Sequence, residues 1–302
     1  MGSHTILITG ATGQQGTATI AALLKDHSSS DTSSLRLPEI IALTRSAKSA
    51  KASLLKEKFP HITLFEGSTS RPKSVFVAHP DITSIFLVTN PPDEEPQALP
   101  LIDAAISHGV RHIVFSSVDR GGDEKSWETP TTVSHFASKH RIEQHLRSAS
   151  ERDSSRTSWT ILRPTGFMDN YKPGPFGNLM ATLWATMPSD RKMQLVSTHD
   201  IGVFAAQALM NREKWAGRAI GLAGDQLTFG EAREVFKRSL GYEMPVNWTW
   251  LGRTVRWAVE DAGQSMQWFE DVGFGVDLVA LRDGYPLQTF EAWLRANWKN
   301  TT

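Results

Sequence analysis

Ile6-Leu7-Ile8-Thr9 runs directly into Gly10-Ala11-Thr12-Gly13-Gln14-Gln15-Gly16, and Thr17-Ala18-Thr19-Ile20 follows. The apolar run predicts a buried strand over Ile6–Thr9, and the residues beyond predict a helix over Thr17–Lys25. Between them lies G-x-x-G-x-x-G, the wider-spaced relative of the G-x-G-x-x-G turn that joins a strand to a helix. Gly10 permits the tight turn, Gly13 lets the backbone approach a pyrophosphate, and Gly16 lets the helix pack close to the sheet. Unbonded N–H groups and the positive helix end then face the phosphates. Thr12, Gln14 and Gln15 fill the turn and count with the three glycines as dinucleotide contacts.

The next apolar run, Ile40–Thr44, ends in Thr44-Arg45-Ser46, with Lys48 close behind and no acid. NAD-preferring sites usually hold the ribose hydroxyls with Asp or Glu here, whereas a nearby Arg accommodates a 2′-phosphate. The Arg45 guanidinium offers a planar fork to that phosphate and a face to the adenine. The sequence therefore predicts NADP(H) as cofactor, and NADPH in preference to NADH. The plainer reading of Arg45 and Lys48 is a solvated basic helix start.

Further strands are predicted at Ile62–Phe65, Ser84–Val88, Arg111–Ser116 and Trp159–Leu162, apolar on successive residues as in a parallel sheet covered on both faces. Helices are predicted at Lys48–Lys58, Gln97–His108 and Val133–Ser150. This alternation argues for an α/β fold, a Rossmann-type doubly wound, mostly parallel sheet over residues 1–163. Residues 164–302 read mainly as a smaller C-terminal α/β lobe, with some segments returning to the first domain. Ser28–Pro38 reads as a surface loop, and Asp119–Thr132 as a loop beside the active edge of the sheet. Pro173, Gly174, Pro175 and Gly177 are expected to break any long element. A helix over Asp200–Asn211 is expected with Asp200 as N-cap, and one over Thr228–Leu240 opens on a capping box, Thr228 with Glu231. Six of the ten tryptophans lie at or beyond Trp248, which predicts packing of the smaller lobe or an apolar pocket.

Composition excludes several classes. The chain has 302 residues, 40% of them hydrophobic, enough for one large unit and a lobe. Lys plus Arg and Asp plus Glu are 32 each, so no net charge favours nucleic acid or an anionic membrane. With no cysteine, disulfides, thiolate zinc sites and cysteine nucleophiles are excluded. No apolar run approaches the roughly 18–20 residues that span a bilayer, and no secretory apolar block opens the chain, so the cytoplasm is expected. His108 and His112 are separated by a helix end, and His135, His140 and His145 are spaced by five, so no metal is expected. No G-x-S-x-G elbow supports hydrolase chemistry.

Ser116-Ser117 end the fifth strand, and the following helix reads His135-Phe136-Ala137-Ser138-Lys139. A spacing of four puts residues 135 and 139 one turn apart on one helix face. In short-chain dehydrogenases a Tyr-x-x-x-Lys pair occupies this helix; here Lys139 is present, His135 stands at the Tyr position, and the three tyrosines lie elsewhere. Together with the Gly-rich turn, His135-Phe136-x-x-Lys139 with Glu143, Ile161-Leu162-Arg163-Pro164-Thr165-Gly166-Phe167-Met168-Asp169-Asn170 and Asp200-Ile201-Gly202 resemble the NmrA-like family, an atypical branch of the short-chain dehydrogenase/reductase superfamily. Trp268-Phe269-x-x-Val272-Gly273 and Trp293-Leu294 resemble its fungal members.

The resemblance implies a Rossmann fold, NADP(H) binding and a mobile C-terminal lobe. It also implies a divided function. Some members are NADPH-dependent reductases of quinones, dyes, phenylpropanoid ethers or enones that use a Lys on this helix. Others are dinucleotide-binding redox sensors that contact regulatory proteins, and some of these carry His at the Tyr position. Lys139 is expected at the nicotinamide ribose in either case, and as proton donor or polariser in a reductase. His135 reads as an acid replacing Tyr or as a pocket wall. Ser117 reads as a donor to a substrate oxygen or as a strand-end cap, with Val118 beside it on the substrate side. Thr89 and Asn90, ending the fourth strand, are placed at the nicotinamide pocket, with Asn90 also toward substrate. Thr165 and Phe167 are expected at the cofactor, and Phe167, Met168 and Asn170 at the substrate, with lobe packing as the alternative for Phe167 and Met168. The leading expectation is an NADPH-dependent reductase of a small aromatic, quinone-like or enone substrate. The alternatives are an NADP(H)-binding sensor with a regulatory protein partner, or a redox-neutral enzyme that keeps the cofactor for structure.

Overall fold

The computed structural model describes residues 4–25, 37–129, 131–152, 157–172 and 174–298. The first strands and helices alternate: β1 (Thr5–Ile8), α1 (Gln14–Lys25), β2 (Glu39–Thr44), α2 (Ala50–Lys58), β3 (Thr63–Glu66), α3 (Lys73–Ala78), β4 (Ile82–Leu87), α4 (Glu94–Ser107) and β5 (His112–Ser116). Next come α5 (Asp123–Glu128), α6 (Ser134–Arg152), β6 (Ser158–Pro164), β7 (Gly166–Phe167), a 3-10 turn over Met168–Tyr171, α7 (Pro175–Trp184) and β8 (Met193–Val196). The chain continues through α8 (Thr198–Met210), α9 (Arg212–Trp215), β9 (Arg218–Leu222), β10 (Asp225–Leu227) and α10 (Phe229–Leu240). It ends in α11 (Thr249–Ala258), α12 (Glu260–Asp271), α13 (Leu278–Gly284) and α14 (Phe290–Asn297).

The large sheet has seven strands in the order β3-β2-β1-β4-β5-β6-β9. Every pair from β3 to β6 is parallel, with Ile6 opposite Ile40, Leu7 opposite Ile85 and Ile113 opposite Trp159. This is the Rossmann order, which reverses direction between β1 and β4 and opens a crevice at the carboxyl ends of those strands. Ile6, Leu7, Ile8, Ile41, Ile85, Phe86 and Val114 are buried, which explains why these strands read as continuous apolar runs.

The chain divides into two compact units. The first comprises Met1–Ser117, Ser138–Leu162 and Ile201–Ile220; the second comprises Val118–Ala137, Arg163–Asp200 and Gly221–Thr302. Residues 118–137 thus go with the second unit, and residues 201–220 with the first. The second unit contains a small sheet, β10-β8-β7, and a core around Trp184, Phe236, Phe290 and Trp293. A second cluster gathers Val118, Val133, Phe136 and Trp268, with Phe269 and Phe274 packed on it.

Four local expectations are corrected. Residues 119–132 are not wholly irregular, because α5 lies within them. Of the residues expected to break long elements, Gly177 instead lies inside α7, whereas Gly174 caps that helix and Pro175 opens it, where its missing N–H has no helical partner to lose. Asp200 is not an N-cap; α8 starts at Thr198, and the Ser197 hydroxyl accepts the Asp200 N–H at 3.1 Å. The fourth helix begins at Glu94 rather than Gln97. The capping box is present, with Thr228 Oγ1 accepting from Glu231 N–H and Glu231 accepting from Thr228 N–H. Most of the segment read as a surface loop, residues 28–36, and Pro173 lie outside the described residues.

Candidate active site

The Gly-rich turn closes tightly on itself. Gly10 has φ +56°, a left-handed value that a side chain disfavours. Its carbonyl accepts the Gly13 N–H at 2.9 Å, and the Gly13 carbonyl accepts the Thr17 N–H at 3.0 Å. A Cβ at residue 16 would lie 2.4 Å from the Gly10 oxygen, so the helix can start here only with Gly16. Helix α1 begins at Gln14, three residues earlier than the pattern predicts, which sets its first N–H groups directly beside Thr12 and Gly13. Gln15 is tied to the end of β5, its Oε1 accepting from the Ser116 hydroxyl at 2.5 Å.

Arg45 and Lys48 are exposed just beyond β2, and neither forms an ion pair among the described residues. An acid does come near them: Glu66, ending β3, accepts the Ala47 N–H at 2.9 Å. The sequence pattern missed it because it lies on the neighbouring strand, eighteen residues beyond Lys48. A turn without Cβ atoms at residues 10, 13 and 16 that leads into a helix N-terminus, followed by two uncommitted cations, fits a dinucleotide bearing a 2′-phosphate.

Lys139 sits at the carboxyl ends of β4 and β5. Its Nζ donates to Thr89 Oγ1 at 3.2 Å and to the Ser116 carbonyl at 3.2 Å, and pairs with Glu94 Oε2 at 2.9 Å. The Thr89 hydroxyl donates to the same Glu94 carboxylate, and the ammonium lies 5.5 Å from the centre of the Phe115 ring. The pair is largely dry, with side-chain exposures of 13% for Lys139 and 2% for Glu94. Glu94 Oε1 is buried without a hydrogen-bond partner among the described residues. The loop before Glu94 is held by Gln97, whose Nε2 donates to the carbonyls of Asn90, Pro92 and Asp93 at 2.7, 3.0 and 3.1 Å. Asn90 itself is exposed.

Sequence reasoning missed Glu94, since it lies ahead of the helix predicted from Gln97 and an acidic run is most often solvated. It also did not assign Ser116 or Gln97. Ser117 donates its hydroxyl to Glu143, which is fully buried on α6 four residues beyond Lys139. That spacing is the signal by which Glu143 could have been paired with this edge.

The remaining candidates belong to the second unit. His135 is half-buried and meets Phe136 edge-on, with ring centroids 4.5 Å apart. Thr165 commits both its hydroxyl and its N–H to the Leu222 carbonyl, at 3.0 and 3.1 Å. Phe167 and Asn170 are half-buried in β7 and the 3-10 turn. Two of the residues expected toward substrate are packed: Met168, for which lobe packing was the alternative, is fully buried in the core with Trp184 and Trp293, and Val118 is buried against Phe136 and Trp268. This unit also holds a pocket of about 430 Å³ lined in part by Arg120, Thr129, Thr132, Gln264 and Trp268. Among the described residues no group of three or more His, Asp or Glu could hold a metal, and no helix is long and apolar enough to cross a membrane.

A model of the NmrA-like family matches residues 2–255. The chain belongs to the NmrA-like family. An NmrA-like family domain-containing protein of Dictyostelium discoideum is 25% identical over 236 residues, covering 75% of this chain and 74% of that protein. The nitrogen metabolite repression protein nmr of Neurospora crassa is 30% identical over 161 residues, 49% of this chain and 31% of that protein. An NADPH-dependent quinone oxidoreductase from Escherichia coli, solved with NADPH, is similar in fold with a TM-score of 0.68 at 20% identity, over 97% of this chain and 100% of that one. The chain thus shares its family with a protein named for repression and its fold with a protein named for reduction.

Proposed function

We propose that this NmrA-like protein is an NADPH-dependent reductase of a small aromatic, quinone-like or enone acceptor. The observation that carries the reading is the seat of Lys139: a nearly dry ammonium at the carboxyl edge of the sheet, linked through Ser116 to Gln15 of the Gly-rich turn. Gly10, Thr12, Gly13, Gln14, Gln15 and Gly16 would hold the pyrophosphate, Arg45 and Lys48 the 2′-phosphate, and Thr89 and Asn90 would border the nicotinamide. Bound NADPH supplies the hydride. Lys139 would polarise the accepting oxygen by turning one N–H from Thr89 or Ser116 toward it, while Glu94 holds the ammonium in place. His135 stands where the related dehydrogenases carry a tyrosine and would be the second proton source. Ser117, oriented by Glu143, Phe167 and Asn170 complete the proposed substrate side, and Thr165 the cofactor side.

One observation favours the sensor reading. An ammonium has three N–H groups, and the acceptors on Thr89, Ser116 and Glu94 are enough to occupy all three. A lysine so committed serves as a structural post, and the protein would then bind NADP(H) and report it to a regulatory partner. NADPH oxidation against quinones, enones and aromatic ketones separates the two. Turnover that falls at least about a hundredfold in Lys139→Ala supports the reductase. Firm NADPH binding without turnover on any acceptor, or turnover indifferent to Lys139→Ala, contradicts it.

A further inference from the structure

A carboxylate on β3 holds the backbone between two cations of the link from β2 to α2. Arg45 lies two residues before Ala47 and Lys48 one residue after it, and both are exposed. Thr44 and Glu66 stand side by side as the last parallel pair of β2 and β3. From that position Glu66 Oε2 accepts the Ala47 N–H at 2.9 Å. Glu66 forms no ion pair with Arg45 or Lys48 among the described residues, and takes the N–H between them instead.

The rest of the link is stitched to itself. The Thr44 hydroxyl donates to the Ser46 carbonyl at 3.2 Å, and the Ser49 hydroxyl donates to the same carbonyl at 3.0 Å. Ser49 then caps α2, its Oγ accepting the Ala52 N–H at 3.3 Å. Among the described residues, the bond from Ala47 is the one that ties residues 45–48 to β3. An ionised acceptor makes such a bond stronger than a neutral one. The link is thereby fixed in the middle while the charges of Arg45 and Lys48 stay available to an anion. We propose that Glu66 is a positioning residue for cofactor choice: by holding the Ala47 N–H it sets Arg45 and Lys48 for a 2′-phosphate. The proposal rests on the reading that these two cations receive that phosphate. The gain is confined to NADP(H), because the hydroxyl that NADH carries in its place asks for no cation.

Calorimetry of the full chain with NADPH and with NADH tests this, with Arg45→Ala measured alongside. Glu66→Ala removes the acceptor and should weaken NADPH about fivefold, leaving NADH within about twofold of wild type. Glu66→Gln keeps an oxygen for the Ala47 N–H and should bind NADPH within about twofold of wild type. The ratio of the two affinities is a readout that a general loss of stability does not move. A Glu66→Ala protein with the wild-type ratio overturns the proposal. So does tighter NADPH binding, which would mean that the carboxylate opposes the phosphate. A Glu66→Gln protein as weak as Glu66→Ala also overturns it, since the effect would then belong to the charge and not to the bond. If Arg45→Ala lowers the ratio and Glu66→Ala does not, the positioning alone fails. If neither lowers it, the 2′-phosphate reading fails as well.

Discussion

Two neighbours on one helix are held by opposite means. Lys139 of α6 is fixed by directional bonds at about 3 Å, to a hydroxyl, a carbonyl and a carboxylate. Phe136, three residues earlier, is held by apolar contact, with Val118 and Val133 in its cluster and the Trp268 and Phe269 rings at 5.0 and 6.4 Å between centroids. The first arrangement sets a position sharply, since polar bonds weaken steeply when they bend or lengthen. The second sets a volume, since dispersion between rings tolerates sliding. A cofactor of one fixed shape calls for the first. A packing core that need only keep its volume filled is served by the second.

That contrast can be broken at several points. The largest effect is expected from Phe136→Ala, which empties the centre of the ring cluster and should cost roughly 3–5 kcal/mol by urea unfolding. Dinucleotide affinity should stay within a few-fold of wild type. A matching collapse of NADPH binding would mean that the ring cluster also sets the cofactor site. Glu94→Gln should cost roughly 3 kcal/mol, because it leaves the Lys139 ammonium nearly buried without its carboxylate. If the loss disappears when Lys139→Met is added, the cost belonged to the unpaired charge.

A third test uses pH and a histidine of the first unit. His112 is buried on β5, its Nδ1 2.8 Å from Ser158 Oγ and its Nε2 3.0 Å from Thr160 Oγ1. Burial, helped by the charge of Arg212, holds its pKa down to about 4. Unfolded chains therefore bind more protons than folded ones between about 6.5 and about 4. The stabilisation is fully present above pH 6.5 and is lost as pH falls through that window, about 3 kcal/mol in all. Urea midpoints of wild type and His112→Gln at pH 7 and pH 4.5 measure it. The wild type should lose more than the variant, and equal losses would show that the imidazole is solvated. The smallest effect is expected from Arg45→Ala: about tenfold weaker NADPH binding by calorimetry with NADH unchanged. Equal weakening of both cofactors would remove the 2′-phosphate from Arg45.

The two regions also differed in how far their sequence announced them. The turn at residues 10–16 was readable because its glycines answer a steric demand within seven residues, and Gly16 meets that demand directly at the Gly10 oxygen. Lys139 was readable by its spacing on a helix. Glu94, which grips Lys139, was not, because its burial depends on β4, β5 and α6 meeting there, and an acidic helix start looks the same whether wet or dry. The second unit was harder still. Met168 read as either a pocket or a packing residue and Val118 as a pocket residue, and the rings packed around them, Trp184, Trp293, Phe136 and Trp268, lie up to 150 residues away in the chain. Gly177 misled for another reason: inside α7 a Cβ there would lie 1.9 Å from the Lys172 oxygen, so close approach of the backbone, not a break, calls for glycine.

The central claim is that the carboxyl edge carrying Lys139 reduces an acceptor. Deuteride transfer tests it most directly. NADPH labelled with deuterium at nicotinamide C4, prepared as each stereoisomer, is incubated with the protein and a quinone or enone, and the product is read by mass spectrometry. The account predicts deuterium on the reduced acceptor from one stereoisomer, and its loss with Lys139→Ala while NADPH still binds. Bound NADPH that delivers no deuterium to any acceptor, or delivers it equally well without Lys139, would contradict the account.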